Sequence, residues 1–488
     1  MNLQELCTAA GIECGYENID IKRIKSNSEQ IEKGDLFVCI KGLKTDGHNY
    51  IQEAQNKGAA AIVAERGVEA DIPVVYTNNT RKALALLCNA YYGFPSKKLK
   101  LVAVTGTNGK TSVTYMLKNI FDSSMRKTGL IGTVSCYSGE RKISLSGGAP
   151  LANMTTPDPE QLYEMLSIMA NDGVEYVFME ASSHALALGK LEGLEFEAAI
   201  FTNLTPEHLD FHKTMENYFL AKAELFQKAK IKIINIDDKY GKRLYEKYSD
   251  AYACSKTKRC CGFFADEIID KGIDGSEYFF VSSNRQFKIK TPLIGSFNVM
   301  NTLQAAACAC ALGISSGCIV GALSSSCGVN GRLERVKLGV ISDYSVFVDY
   351  AHTPDALENL LLSVDRLRKC GERIVLLFGC GGDRDKSKRK EMGKIAAKLA
   401  DFSVITSDNS RSEEPLDIIN EIISGMDGAC YKVIVDRAQA IEYVIKTAQK
   451  GDIILLAGKG HENYEIDKNG KRAFDEKKIA SEMALKYY

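Results

Sequence analysis

Apolar residues fall into short runs, each followed by a polar or Gly-rich turn and then by a stretch with helical spacing. Residues 35–40 and 60–63 read as strands of a small α/β unit that ends at the Gly/Pro/Ser break 92–98. Beyond it Leu99, Leu101, Val102 and Val104 form a strand-like run that enters a glycine-bearing turn and then a helix-like stretch. Strand signals return at 176–179, 198–202 and 232–236, alternating with helical patterns, which predicts a mainly parallel sheet. Shorter alternating strands follow near 278–294, then a helical stretch at 298–312, then the break Gly328-Val-Asn-Gly331. The last part alternates again, with strands at 346–349, 373–378, 402–406 and 452–457 and a helix at 355–368. The pattern predicts an α/β chain of three domains, 1–96, 97–330 and 331–488, and 488 residues are too many for one core. There is no 20–50-residue repeat and no low-complexity tract.

Composition narrows the function. With 45% hydrophobic and 25% charged residues the chain is an ordinary globular protein. Its 62 basic and 62 acidic residues cancel, so no global field draws it to nucleic acid or an anionic membrane, and any anion site must be local. Fifteen cysteines are scattered with no Cys-x-x-Cys pair, several inside apolar patterns (Cys39, Cys88, Cys308, Cys310). They are expected to be reduced, mostly buried thiols rather than metal ligands. The N-terminus lacks a basic segment followed by an apolar one, and no apolar run reaches the ~18 residues that span a bilayer, so a cytoplasmic protein is expected.

The candidate chemistry begins at Gly106-Thr107-Asn108-Gly109-Lys110-Thr111-Ser112, between the strand-like and helix-like runs. Glycines at 106 and 109 permit a tight turn whose N–H groups and helix N-terminus face a phosphate. Lys110 adds a point charge, and the Thr111 hydroxyl can ligate Mg²⁺. Glu180 ends a buried strand where a second metal ligand would sit. The six histidines, His48, His184, His208, His212, His352 and His461, all read as loop residues at strand ends, which favours an active site. Taken alone, Lys222 reads as a solvated helix lysine, Thr155-Thr156-Pro157 as a capped helix start and Asn298 as a helix N-cap. In an open α/β sheet ligands bind beyond the carboxyl ends of the strands. There lie Asp349-Tyr-Ala-His352, Gly381-Gly-Asp-Arg384-Asp, Asp408-Asn409-Ser-Arg411 and Gly458-Lys-Gly-His-Glu462.

These motifs, together with Met179-Glu180-Ala-Ser182-Ser-His184, Thr202-Asn-Leu-Thr-Pro-Glu-His208-Leu-Asp, Ala221-Lys222-Ala, Asn298-Val-Met-Asn301 and Gly331-Arg332-Leu-Glu, resemble the Mur ligases of peptidoglycan synthesis from about residue 24 to 465. The resemblance implies a three-domain ATP-dependent amide ligase with a central phosphate-loop domain and a Rossmann-like C-terminal domain. It implies two Mg²⁺ ions, one held by Thr111 and Glu180 and the other by His208 and Lys222 carrying a carbamate (N6-carboxylysine). ATP would be bound by the 106–112 loop with Asn298, Asn301, Arg332 and Asp349. The UDP-N-acetylmuramoyl-dipeptide would be bound by Ser28, His48, Thr155, Thr156 and Ser182. The incoming amino acid would meet Arg384, Asp408, Asn409, Arg411, Gly458 and Glu462. The sequence reads Asn27-Ser28-Glu29 where the family has Asp-Ser-Arg, Asn330 and Lys390 where it has other residues, and Ser410 where it has proline.

Asp408 to Arg411 resembles the signature of the branch that adds meso-diaminopimelate. A guanidinium can grip the carboxylate on that amino acid's far carbon, whereas lysine would bring an ammonium to the same place. Addition of L-lysine, a folylpolyglutamate-synthase-like activity and an inactive scaffold are the alternatives. The segment Gly379-Cys-Gly381-Gly-Asp-Arg384 fails the dinucleotide fingerprint of an oxidoreductase. The basic run Arg384, Lys386, Lys388, Arg389, Lys390 is discounted as a nucleic-acid patch. The chain is expected to act as a monomer, its domains closing on the substrates.

Overall fold

The break at 92–98 separates two sheets. Before it, Ile24–Lys25, Leu36–Val38, Ala61–Ala64 and Val74–Tyr76 lie side by side in chain order, all parallel. The computed structural model describes residues 1–42, 45–145, 154–259, 262–326, 328–366, 368–369 and 371–487. Helix Thr80–Tyr91, capped by Asn79, leads out of this sheet, and the chain turns through Gly93 and Phe94, both at positive φ, into Pro95–Lys98.

Strand Lys100–Thr105 then enters the middle of an eleven-stranded sheet, between Phe196–Phe201 and Tyr176–Glu180. The strands from Phe263–Asp270 across to Thr128–Ile131 run parallel, and antiparallel strands extend both edges. Both faces are covered, which is why these strands read as nearly continuous apolar runs. Leu101 and Ala103 face one core, while Val102 and Val104 face the other with Val113, Leu117 and Leu303. The first of these cores continues into the N-terminal unit, where Leu84, Leu87 and Cys88 join Leu162, Tyr163 and Leu166. The sheets separate near residue 96, yet one apolar core spans both.

The C-terminal sheet orders Ser345–Asp349, Ile453–Ala457, Ile374–Phe378, Phe402–Ile405 and Tyr431–Val433 in parallel, with Glu334–Arg335 antiparallel at one edge. Its two faces carry separate cores. A hairpin, Tyr464–Asp467 with Gly470–Ala473, and helix Glu476–Tyr487 complete the unit. The strand Tyr431–Val433 and the hairpin have mostly exposed side chains, so no apolar run announced them.

Two helices differ from their expected bounds. The helix expected at Thr155-Thr156-Pro157 begins at Pro159, with Asp158 as its extended N-cap. A residue before proline is disfavoured in helical geometry, so Pro159 forces Asp158 out and a start at Pro157 cannot propagate. The helix at 355–368 is observed as Pro354–Asp365, capped by Thr353, and residue 367 lies outside the described residues. The described cysteines are free and mostly buried, while Cys260, Cys261, Cys327 and Cys370 lie outside them. No helix among the described residues is long and apolar enough to cross a membrane.

Candidate active site

At the C-terminal end of the central strand, Gly106 turns at φ 145°, and a Cβ there would stand 1.9 Å from Thr202 Oγ1. Only glycine fits this close approach. Thr202 Oγ1 donates to the Asn108 carbonyl (2.6 Å), and the Asn108 N–H donates to Asn203 Oδ1 (3.0 Å), pinning the loop to the neighbouring strand end. Helix Lys110–Ser123 starts without a side-chain cap, so its first-turn N–H groups are available to an anion. Lys110 Nζ donates to the Gly106 and Thr107 carbonyls at 2.9 and 2.7 Å. Desolvation pulls its ammonium below the ordinary lysine range.

Glu180 accepts from Thr111 Oγ1 (3.0 Å), the Thr133 N–H (2.9 Å) and Thr133 Oγ1 (3.1 Å). A buried carboxylate against a hydroxyl is the oxygen donor set a hard cation takes. His184 and His208 pack with ring centroids 4.7 Å apart. His184 and His212 sit on short helices, and His48 on the 3-10 turn Gly47–Tyr50, rather than in loops. His208 adopts the left-handed region at φ 57°, unfavourable for a residue with a Cβ. Burial pulls its imidazole down to about 4, and Glu207, 3.6 Å away, only partly opposes this. His208 is therefore neutral near pH 7, as a metal ligand must be. Among the described residues no three His, Cys, Asp or Glu side chains converge as a ready cation site.

Lys222 overturns its reading as a solvated lysine. It is 1% exposed on helix Met215–Gln227, its Nζ donates to the Gly106 carbonyl at 2.8 Å, and it lies over the Tyr218 ring. Burial, reinforced by Lys110, pushes its ammonium well below the usual range. The helical periodicity missed this because Lys222 points into the phosphate loop from an otherwise apolar face.

The C-terminal unit faces this loop across a cavity of about 1420 Å³. Asp355, in the first turn of its helix, accepts from Asn108 Nδ2 (2.6 Å) and Thr205 Oγ1 (3.1 Å), joining the two units at the loop. Asn298 and Asn301 line the cavity. Gly295, not Asn298, is the N-cap, and Asn298 Nδ2 donates to the Ile294 carbonyl (2.8 Å) while its Oδ1 accepts from Asn301. Arg332 lies over the Tyr350 ring (4.7 Å), and its buried Nε has no hydrogen-bond partner among the described residues. Asp349 accepts from the Leu333 and Ala351 N–H groups, and burial raises its carboxyl above the usual range.

At the neighbouring strand ends Asp408, Asn409, Arg411, Arg384, Gly458 and Glu462 line the same cavity. Arg411 Nη1 donates to the Gly382 carbonyl (2.7 Å), and Asn409 Nδ2 donates to Glu462 Oε2 (2.7 Å). In the basic run, Arg389 is fully buried between Glu413 and Glu421, so that residue is structural and presents no charge to a polyanion. Thr155, Thr156 and Ser182 line the cavity with Lys190. Ser28 and His48 do not. Ser28 donates to Glu53 (3.0 Å), and His48 is held by Asp46 (2.6 Å) and the Glu65 N–H (3.1 Å) within the N-terminal unit. Thr133, Glu207, Tyr350 and Asp355 also line the cavity, with Lys459 buried behind it, and sequence alone assigned none of them a role. Glu207 and Lys459 sit inside motifs already singled out, whereas Thr133 and Asp355 gain meaning only from contacts across long chain separations.

Behind Asp408, Arg437 and Glu476 form a fully buried pair (2.7 Å), and Arg437 also donates to the Ser407 and Ala457 carbonyls. Arg437→Met leaves Glu476 buried and unpaired, and is expected to cost about 3–5 kcal/mol. The urea midpoint measures this, and a loss under about 1 kcal/mol contradicts it.

The chain matches the family profiles described as "Mur ligase family, catalytic domain" over residues 20–92, "Mur ligase middle domain" over 104–309 and "Mur ligase, glutamate ligase domain" over 331–460. It is 41% identical over 477 residues, 96% of each chain, to the Clostridium perfringens UDP-N-acetylmuramoyl-L-alanyl-D-glutamate--2,6-diaminopimelate ligase. The protein of that name from Syntrophomonas wolfei is 42% identical over 496 residues, 99% of each chain. Among solved structures, one of a UDP-N-acetylmuramoyl-L-alanyl-D-glutamate--2,6-diaminopimelate ligase superposes with a TM-score of 0.70 at 29% identity, covering 100% of this chain and 99% of that one. The fold is also that of a MurF ligase from Thermotoga maritima in complex with ADP, with a TM-score of 0.59 at 19% identity over 97% of this chain and 98% of that one.

Proposed function

Since the chain belongs to the Mur ligase family, we propose that it is the ATP-dependent ligase that joins meso-2,6-diaminopimelate to the D-glutamate carboxylate of UDP-N-acetylmuramoyl-L-alanyl-D-glutamate in peptidoglycan precursor synthesis. One observation carries the reading: the phosphate loop and the Asp408, Asn409, Arg411, Glu462 group open on the same cavity from two different sheets. An activated carboxylate and an amine can therefore meet there.

An amine cannot expel oxide from a carboxylate, so the carboxylate first takes the terminal phosphoryl group of ATP. The amine then adds to the acyl phosphate, and phosphate leaves. Lys110 and the helix N-terminus bind the phosphates, and Asn298, Asn301, Arg332 and Asp349 hold the rest of the nucleotide. Thr155, Thr156, Ser182 and Lys190 orient the carboxylate substrate, with Ser28 and His48 assigned to its uridine end. Arg411 with Arg384 takes the distal carboxylate of the amino acid, and Glu462 with Asp408 takes its distal ammonium. Thr111 and Glu180 would hold one Mg²⁺, and His208 with carbamylated Lys222 a second; when bound, these ions offset charge on the phosphates and on the tetrahedral intermediate. ATP and a nucleotide-linked substrate are the reason to place the reaction in the cytoplasm.

The test is phosphate release by the purified protein with ATP, Mg²⁺ and UDP-N-acetylmuramoyl-L-alanyl-D-glutamate, offered meso-diaminopimelate or L-lysine. Release with diaminopimelate alone is expected. Equal release with lysine would keep the ligase but remove the role given to Arg411. No release with either amino acid, from folded protein, would overturn the function.

A further inference from the structure

Lys459 is 0% exposed, yet it follows the strand Ile453–Ala457 directly into the amino-acid half of the site. It sits between Gly458 and Gly460, and a Cβ at Gly458 (φ 111°) would stand 2.8 Å from Asp408 Oδ2. The ammonium has three N–H donors, and three acceptors surround it: the Tyr464 carbonyl (3.0 Å), Asn409 Oδ1 (3.1 Å) and Asp408 Oδ1 (3.3 Å). Glu462 Oε2 lies 3.9 Å away. Asp408, Asn409, Gly458 and Glu462 line the cavity, and Lys459 stands behind them.

We propose that Lys459 is a positioning residue for the incoming amino acid, its buried ammonium fixing the Asn409 amide in one orientation and keeping Asp408 and Glu462 together as two carboxylates on one wall of the site. The inference rests on that wall being where the diamino dicarboxylic acid binds. Asn409 Oδ1 accepts from both Lys459 and the Ile466 N–H (2.9 Å), so its Nδ2 must turn the other way, where it donates to Glu462. Exchanging oxygen and nitrogen would set N–H groups against Lys459 and Ile466 and leave two acceptors facing each other at Glu462. The charge matters separately. Two carboxylates this near a common cation would otherwise favour taking up a proton, and a protonated Glu462 no longer attracts an ammonium.

The other titratable groups around the pair do not replace Lys459. Arg437, Glu476, Cys380 and Tyr350 face Asp408, and Arg437 is already engaged by Glu476. Tyr350 and Tyr464 face Glu462. Burial and Asp408 push the Glu462 carboxyl up, whereas for Asp408 burial is outweighed by Lys459 and Arg437 together with the Asn409 N–H bond, which hold its carboxyl down.

The experiment uses the full chain with Lys459→Met, Lys459→Gln and Lys459→Arg. Phosphate release is measured against diaminopimelate concentration, with ATP and the nucleotide substrate saturating, from about pH 6 to about pH 9. For Met and Gln, KM for diaminopimelate is expected to rise about tenfold or more while kcat changes less than about threefold and the other two KM values stay in place. The acid limb of kcat/KM moves to higher pH, because the carboxylates keep their protons longer without the cation. Arg, which retains the charge, restores the acid limb. Gln keeps an N–H for Asn409 without the charge, and carries the test if Met does not fold. An unmoved acid limb with an unchanged diaminopimelate KM overturns the role of Lys459, as does a uniform loss of kcat with all three KM values moving together. Failure of the wild-type protein to use diaminopimelate at all would overturn the underlying function instead.

Discussion

Lys222→Ala is expected to lower the rate of phosphate release by about 10³-fold and to regain part of it when a short carboxylic acid such as acetate is added. An ammonium cannot ligate a cation, but a neutral amine can attack carbon dioxide, forming an N–C bond and releasing one proton, which leaves a carbamate anion with two oxygen donors. Burial and the nearby Lys110 favour the neutral amine, so carbamate forms at lower pH than on an exposed lysine. The remaining N–H can keep its bond to the Gly106 carbonyl, the contact Lys222 makes in this structure. The position thus accommodates the modification without losing its anchor. Added acetate supplies the missing carboxylate in the space the side chain vacates. A variant within about threefold of wild type contradicts the role, as does the absence of a carbamate signal in the wild-type protein equilibrated with ¹³C-labelled carbon dioxide. Activity that is lost and not rescued would leave Lys222 as a tether of the phosphate loop.

Arg411→Ala should reduce kcat/KM for diaminopimelate by about 10³-fold, mostly through KM, while leaving the much lower activity with L-lysine nearly unchanged. Two charge-assisted hydrogen bonds to one carboxylate, at about 2 kcal/mol each, give that factor. The gap between the two amino acids therefore narrows from the diaminopimelate side. The structure fixes Arg411 beforehand: its Nη1 is held by the Gly382 carbonyl, and its backbone N–H by the Ile466 carbonyl of the hairpin. Little side-chain entropy remains to be lost on binding. Arg411→Lys should recover little, since an ammonium cannot form the two-pronged pair. Competition between the two amino acids, measured by product ratio, decides the matter. Retention of wild-type discrimination by Arg411→Ala would transfer the role to Arg384.

Ser410, where the resembled signature has proline, is compatible with this. The residue is buried, and the loop is closed by the bonds from Gly382 N–H to the Asn409 carbonyl and from Glu413 N–H to the Ser410 carbonyl. The backbone bonds provide the stiffness that proline would add through its fixed φ.

By itself the sequence determined the alternation of strands and helices, the phosphate loop, and the order in which charged motifs follow strand ends. These are local matters: an apolar run buried on both faces, a glycine needed at one turn, a cap before a helix. It also carried the family, because many short motifs in a fixed order do not require coordinates. Only the tertiary structure decided which polar residues are buried and whom they meet. Lys222 and Lys459 are residue types of the surface, and only packing shows that one ammonium is buried against the Gly106 carbonyl and the Tyr218 ring and the other among the oxygens of Asp408, Asn409 and Tyr464. Asp355 reaches Asn108, and Arg437 reaches Glu476, across separations that periodicity cannot bridge. Ser28 and His48, grouped by motif with the substrate contacts, bond within their own unit and do not line the cavity in this structure. The physical reason is the same in each case: local sequence sets backbone conformation, but the burial of a charge and the choice of its partner are properties of surfaces that meet only after the chain has folded.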